Sequence, residues 1–258
     1  MSFTSPAESY DSFMGRYTRT LAPVLADAAG VAEGMRVLDV GCGPGGLTGV
    51  LAERVGEVNV AAIDPAPQFV SACARRYPDA DVRVGVAERL PWPDGGFDAA
   101  LSCLVIGFMD DADRGLREMS RVTRPGGVVA ACMWDLTEGG MTMLATFWEA
   151  VRELDPTVVG ERMSVGVSRG DIAARMESAG LTDIVDGELS AHADYAGFDD
   201  FWEPFTFAVG PAGSYLASLP ADRREQLREI CLPKLPDGPF TLPARAWYAR
   251  GIVTPTAP

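Results

Sequence analysis

The chain has 258 residues, of which 47% are hydrophobic and 22% charged, so it can bury a large core and is typical of a globular protein. Its 22 basic and 36 acidic side chains give a formal net charge of −14, which disfavours nucleic acid and anionic membrane surfaces as partners. No apolar run approaches the ~18 residues of a membrane span. The first residues also lack a basic and apolar signal pattern, so we expect a cytoplasmic protein.

Cysteine pairs, histidine and lysine are scarce, which disfavours metal, disulfide and Schiff-base chemistry. The five cysteines form no CxxC pair, and the chain contains one histidine and one lysine. Metal sites and disulfide frameworks rely on clustered cysteines or histidines, and Schiff-base chemistry relies on lysine. We therefore predict no metal site and no disulfide framework.

Short apolar runs alternate with helical periodicity through the first two thirds of the chain, which indicates βα units and a parallel sheet. Strands are predicted at 36–40, 58–63, 82–86, 97–102 and 128–134, and helices at 68–76 and around 116–122. Further on, the pattern predicts helices at 141–153 and 169–179, strands at 181–192 and 246–253, and a helical, loop-rich stretch at 198–231. The predicted fold class is α/β, with a doubly wound, mostly parallel, seven-stranded sheet and helical insertions.

A glycine-rich loop follows the first predicted strand. In open α/β sheets, ligands bind beyond the carboxyl ends of the strands, and glycines there allow close approach of the backbone. Gly41, Gly43 and Gly46 have the spacing of a dinucleotide-binding loop, and Asp64 follows Gly46 by 18 residues, where a ribose-binding acid is expected. By itself, this spacing leaves a nicotinamide cofactor open.

Asp39 separates the alternatives, because it lies on the strand two residues before Gly41. A carboxylate at that position repels a pyrophosphate but suits an ammonium or sulfonium group. A ligand that combines such a cation with a ribose is S-adenosylmethionine. The simpler alternative is a carboxylate that only accepts hydrogen bonds from the turn.

Four motifs in order resemble a known family. They are VLDVGCGPGGLT at 37–48, Ile63-Asp64-Pro65, AERLPWPDGGFD at 87–98, and Arg124-Pro125-Gly126-Gly127. Together they resemble the class I S-adenosylmethionine-dependent methyltransferases, most closely the small-molecule branch similar to the ubiquinone/menaquinone C-methyltransferases. The resemblance is strong over 33–134 and implies a Rossmann-like methyltransferase fold.

The resemblance also implies a cofactor site. Its expected members are Asp39, Gly41 and Gly43 at the methionine end, Asp64 with Pro65 at the ribose, Ala87 and Glu88 at the adenine, and Ser102 near the methionine amino group. Many relatives have an acidic residue where this chain has Val86, so the adenine contact differs. The segment Tyr10–Tyr17 is expected to close over the cofactor, with Tyr10 or Arg16 near its carboxylate.

The resemblance leads us to predict a single methyltransferase domain over 1–258. It comprises an N-terminal cover (1–32), a cofactor-binding core (33–134) and two lid insertions (135–168 and 196–244). The lids carry large apolar residues, from which Phe147, Trp148, Trp202 and Phe205 are predicted to line a substrate pocket. Such a pocket favours an apolar or aromatic small molecule.

The predicted reaction is in-line transfer of a methyl group from sulfur to a nucleophilic atom. No strong candidate base is present, and we expect His192 to be dispensable. The main alternative is a non-methylating protein on the same fold, because fold does not fix function. A nicotinamide-dependent dehydrogenase is disfavoured by Asp39 and by the lack of a tyrosine–lysine pair. The sequence leaves the oligomeric state open.

Overall fold

A computed structural model describes residues 7–161 and 163–254, and a sheet of seven strands runs through it in the order β3-β2-β1-β4-β5-β7-β6. The strands are β1 (Val37–Val40), β2 (Val60–Asp64), β3 (Asp81–Val84), β4 (Phe97–Cys103), β5 (Thr123–Trp134), β6 (Leu181–Tyr195) and β7 (Phe240–Val253). Neighbours among β1 to β5 are parallel, whereas β7 is antiparallel to both β5 and β6. The predicted fold class is confirmed.

The central strands are apolar because both of their faces are covered. Every residue of β1 and β2 is buried, as expected for strands between two helical layers. The chain runs from β1 outward through β2 to β3 and then returns to place β4 on the other side of β1. This reversal opens a crevice at the carboxyl ends of β1 and β4.

Helices cover both faces of the sheet. The α-helices of the described residues are α1 (Ala7–Tyr10), α2 (Arg16–Ala28), α3 (Gly46–Val55), α4 (Pro67–Arg76), α5 (Ala112–Val122), α6 (Thr142–Leu154), α7 (Asp171–Ser178), α8 (Phe198–Trp202), α9 (Gly210–Ser218) and α10 (Ala221–Cys231). Residues of α2, α3 and α6 share one apolar cluster with α8 to α10, whereas α5 and α7 belong to a second cluster. Within the described ranges, no helix has the length and apolar character needed to cross a membrane.

Two strands begin at least five residues earlier than predicted. β5 begins at Thr123 and not at 128, so 124–127 belongs to an irregular part of the strand. β7 begins at Phe240 and not at 246, because its first residues pair with the end of β6. There the rings of Phe240 and Tyr195 stack with centroids 5.3 Å apart. Residues 240–244, expected in the second lid, are therefore part of the sheet.

The two insertions share their core with the rest of the chain. Phe147 of the first and Phe201 of the second are buried in the same apolar cluster as Leu21 of α2. Their role as lids stays a prediction.

Candidate active site

The glycine-rich loop between β1 and α3 is held against the end of β2. The backbone N–H groups of Gly41 and Cys42 both donate to the carbonyl oxygen of Ile63, at 2.8 and 3.0 Å. Gly41 has a φ of 79°, and a Cβ there would lie 2.4 Å from the methyl carbons of Val105. Both facts require glycine at this position.

The Asp39 carboxylate is buried, and only one of its two oxygens accepts a hydrogen bond from a described residue. Its side chain is 1% exposed, and Oδ2 accepts a hydrogen bond from the Thr48 hydroxyl at 2.7 Å. Within the described part of the chain, Oδ1 has no hydrogen-bond partner. Burial raises the pKa of Asp39 to about 7, against the lowering effect of Thr48. A bound cation would supply the missing partner and favour the ionised form.

Asp64 closes the end of β2. Its Oδ2 accepts from the Gly43 N–H at 3.0 Å and its Oδ1 from the Ala66 N–H at 2.8 Å. Burial raises the pKa of Asp64, while these two amide hydrogen bonds lower it. Each carboxylate oxygen has a second lone pair, so both oxygens can also accept from ligand hydroxyls.

A main cleft of about 200 Å³ opens at the carboxyl ends of β1, β2 and β4. Its lining residues are Tyr10, Gly41, Gly43, Ile63, Asp64, Pro65, Phe69, Gly85, Val86, Ala87, Glu88, Leu104, Val105, Phe108, Met109 and Asp110. Six of the predicted site residues are among them. The Glu88 carboxylate accepts from the Asp111 N–H at 3.1 Å, so it also orders the far wall of the main cleft.

A smaller inner recess of about 30 Å³ adjoins the main cleft at Gly41 and Gly43, and Asp39 lines it. Ser102 lines neither space. Its side chain is fully buried on β4, and its hydroxyl has no hydrogen-bond partner among the residues the structure describes. The next residue, Cys103, lines the inner recess instead. A contact between Ser102 and the cofactor stays a prediction.

The N-terminal segment lies over the glycine-rich loop. Arg76 holds it there, donating to the Pro44 carbonyl oxygen at 2.9 Å and to the Asp11 carboxylate at 2.5 Å. Tyr10 lines both the main cleft and the inner recess, and burial raises its pKa, so its phenol is neutral. Arg16 points elsewhere and forms an ion pair with Asp200 at 2.9 Å. Of the two predicted candidates, Tyr10 therefore reaches the site.

Comparison with known proteins agrees with this geometry. Residues 38–131 match a family described as "Methyltransferase domain". They contain the glycine-rich loop and all predicted cofactor-site residues.

Two curated relatives extend this match. A malonyl-(acyl-carrier protein) O-methyltransferase of Serratia marcescens is 32% identical over 149 residues, which cover 58% of this chain and 56% of that protein. The chain thus spans little more than half the length of this relative. An uncharacterized protein of Mycobacterium tuberculosis is 29% identical over 230 residues, which cover 84% of this chain and 82% of that protein.

Solved structures support the fold. Phosphoethanolamine N-methyltransferase 2 of Haemonchus contortus, in complex with S-adenosyl-L-methionine, aligns with a TM-score of 0.60 and 16% identity, over 96% of this chain and 57% of that one. The predicted cofactor, S-adenosylmethionine, is confirmed by the match of residues 38–131 to this family. The residues present fit it, because Asp39 Oδ1 is buried without a described partner. In addition, apart from Gly43 and its two chain neighbours, no described atom lies within 4 Å of the place where a Cβ of Gly43 would stand.

An apolar compartment of about 50 Å³ adjoins the main cleft. Its lining residues are Tyr10, Phe13, Met14, Leu104, Phe108, Met133, Trp134, Leu136, Leu144, Glu161, Met163, Val209, Gly210 and Pro211. Tyr10, Leu104 and Phe108 line both spaces. Of the described residues, Tyr10 alone lines the main cleft, the inner recess and the apolar compartment.

The predicted substrate pocket needs correction. Phe147, Trp202 and Phe205 do not line the apolar compartment; they pack the insertions onto the sheet. Phe147 and Phe205 stack with ring centroids 4.4 Å apart, and both are fully buried. Trp148 lines a separate polar compartment, described below.

Sequence reasoning missed Glu161 and the residues that follow β4 and β5. The ends of parallel strands meet at one edge of the sheet, and this rule points to Leu104 and Leu136 as wall residues. No local pattern marks Glu161, because it lies in an irregular stretch between α6 and α7.

The remaining candidates lie away from the main cleft. His192 is exposed on β6, paired in register with Pro243. Lys234 forms an ion pair with Glu149 at 3.1 Å and lines none of the spaces described here, so it gives a dehydrogenase no base. Across 7–161 and 163–254, no group of three or more His, Cys, Asp or Glu is arranged to hold a metal ion.

Proposed function

We propose that this protein transfers the methyl group of S-adenosylmethionine to a small acceptor with an apolar or aromatic skeleton. The observation that carries the proposal is the junction of the apolar compartment with the main cleft at Tyr10, Leu104 and Phe108. An acceptor held in the apolar compartment would face the cofactor across this junction. Leu104 has a φ of 63°, a strained conformation of the kind that concentrates at functional sites.

Each predicted cofactor residue has a proposed task. Asp39 attracts the cationic groups of the methionine end, where Gly41 lines the main cleft and Gly43 leaves room for the ligand. Asp64 accepts hydrogen bonds from the ribose hydroxyls, and Ala87 and Glu88 flank the adenine. Pro65 lines the main cleft directly after Asp64.

S-adenosylmethionine supplies, when bound, a methyl group already activated by its sulfonium. The protein's own contribution is to orient the two reactants and exclude water, and orientation alone lowers a barrier by about 7–11 kcal/mol. Tyr10 is well placed for both tasks, because it lines all three adjoining spaces and burial keeps its phenol neutral. An amine or an ionised phenol would need no dedicated base.

The test is a methyl-transfer assay on a panel of phenols, quinols and amines, with free amino acids and RNA as negative controls. We expect transfer to apolar members of the panel only. Leu144→Asn, in the apolar compartment, should raise the KM for the acceptor at least tenfold. The matched control, Leu154→Asn on the same helix, should not. Efficient methylation of amino acids or RNA would contradict the proposal.

A second candidate is a protein that binds the cofactor without transferring its methyl group, for a structural, regulatory or other chemical role. It is favoured by one observation: among the described residues of the apolar compartment, Tyr10 and Glu161 are the only ones that ionise. The same assay separates the two candidates. Calorimetric binding of S-adenosylmethionine with no turnover across the panel would favour the second.

The cellular setting follows from charge and composition. We infer a cytoplasmic protein that acts on a free metabolite, because a net charge of −14 repels nucleic acid and anionic membranes. The similarity to the ubiquinone/menaquinone branch stays a prediction.

A further inference from the structure

Glu161 is a carboxylate in an otherwise apolar wall. It lines the apolar compartment, where its neighbours include Leu136 and Leu144. The Trp148 indole N–H donates to its Oε1 at 3.2 Å. A Cβ on Gly160 would lie 3.2 Å from the Trp148 ring, so glycine lets the backbone lie close to the indole just before Glu161.

Glu161 also lines a second space, the polar compartment, of about 340 Å³. The polar compartment is lined by Asp135, Leu136, Thr137, Gly139, Met141, Leu144, Ala145, Trp148, Arg152, Gly160 and Glu161. Leu136, Leu144 and Glu161 line both compartments, whereas Tyr10, Leu104 and Phe108 line both the apolar compartment and the main cleft. The apolar compartment therefore lies between the main cleft and the polar compartment.

Glu161 forms no ion pair in the polar compartment within the described residues. Asp135 is neutralised by Arg245, whose guanidinium reaches Asp135 Oδ2 at 2.6 Å. Glu161 has no ion pair among the described residues, and Arg152, which also lines the space, is exposed and not within ion-pair distance of it. Burial raises the pKa of Glu161, and the hydrogen bond from Trp148 lowers it.

The Trp148 N–H fixes one oxygen of the Glu161 carboxylate, and its other oxygen can accept a charge-assisted hydrogen bond from an ammonium group. We propose that the acceptor is an elongated molecule with a distal amine, which Glu161 binds at the entrance to the polar compartment. Its apolar middle fills the apolar compartment, and its reacting end meets the junction at Tyr10. This inference rests on the proposed function, because it assigns the far end of the same acceptor.

The experiment compares three probes of equal chain length: hexylamine, 1-hexanol and hexanoate. Each is titrated calorimetrically into protein saturated with S-adenosylhomocysteine. Hexylamine should bind tightest to the unmodified protein. Glu161→Gln, which keeps an acceptor for the Trp148 N–H, should weaken hexylamine at least tenfold and leave 1-hexanol unchanged. Glu203→Gln, an exposed carboxylate outside these spaces, is the matched control.

Thermal unfolding of each variant checks that it is folded. Three results would each overturn the inference. They are an unchanged affinity of Glu161→Gln for hexylamine, an affinity for hexanoate as high as that for hexylamine, and no detectable binding of hexylamine. The same titrations without S-adenosylhomocysteine separate it from the proposed function. Failure of the protein to bind S-adenosylhomocysteine, with discrimination for hexylamine intact, would contradict methyl transfer and leave the amine site standing.

Discussion

Replacing Asp39 with asparagine removes a buried ionisable group and preserves its shape. The Thr48 hydroxyl, 2.7 Å from Oδ2 of Asp39, can still donate to the amide oxygen of the variant. The structure makes two opposite predictions for this change: the ligand-free protein becomes more stable, and the cofactor binds less tightly.

The gain in stability depends on pH. Burial raises the pKa of Asp39 from 3.8 to about 7, and one pKa unit corresponds to 1.36 kcal/mol, so ionised Asp39 costs the fold about 4 kcal/mol as an upper estimate. The stability associated with protonated Asp39 is fully present below pH 3.8 and is lost as pH rises to 7. Asp39→Asn should therefore be more stable than the unmodified protein at pH 8, by an amount that shrinks towards pH 4.

The assay is urea unfolding of both proteins at pH 8 and at the lowest pH at which both remain folded, together with calorimetric titration of S-adenosylmethionine at pH 8. A hydrogen bond to a charged group contributes about 1.5–3 kcal/mol, so the variant should bind the cofactor about 10- to 100-fold more weakly. Glu53→Gln, at an exposed carboxylate on α3, is the control for adding an amide. Unchanged stability at pH 8, or unchanged cofactor affinity, would refute the reasoning about Asp39.

Three further changes test other parts of the site. Asp64→Ala should weaken S-adenosylmethionine and S-adenosylhomocysteine at least tenfold in calorimetry, and clear binding of NAD instead would revive the dinucleotide interpretation. Phe147→Ala should lower the free energy of unfolding by about 3–5 kcal/mol, since it leaves a cavity beside Phe205; an effect on acceptor KM without loss of stability would restore it to the pocket. His192→Ala should leave the methyl-transfer rate unchanged, because His192 is exposed on β6; a loss of turnover with intact cofactor binding would contradict this.

Local patterns predicted the cofactor half of the site. β1, the glycine-rich loop and α3 are contiguous in sequence, and the parallel pairing of β1 with β2 brings Asp39 and Asp64 to one edge of the sheet. These features depend on short-range backbone geometry and on the fixed direction of βα units. For that reason the fold class, the glycine-rich loop, Asp39 and Asp64 were predictable from the residue pattern, whereas Pro65, Ala87 and Glu88 were expected only from the family resemblance.

Long-range packing decided the acceptor half. Phe147 and Phe205 are as apolar as Leu104 and Leu144, and no local pattern tells which pair faces a ligand. The sequence left Arg16 as a candidate for the cleft. In the structure it forms an ion pair with Asp200, which is 184 residues away in sequence and lies outside the cleft.

The sequence by itself therefore determined the sheet, the glycine-rich loop and the cofactor carboxylates, because each depends on neighbours close in the chain. Only the tertiary structure decided which side chains of the insertions enter the core and which, like Glu161, face an open space. Apolar side chains lower the free energy almost equally wherever they are buried, so their destination is set by how distant segments fit together.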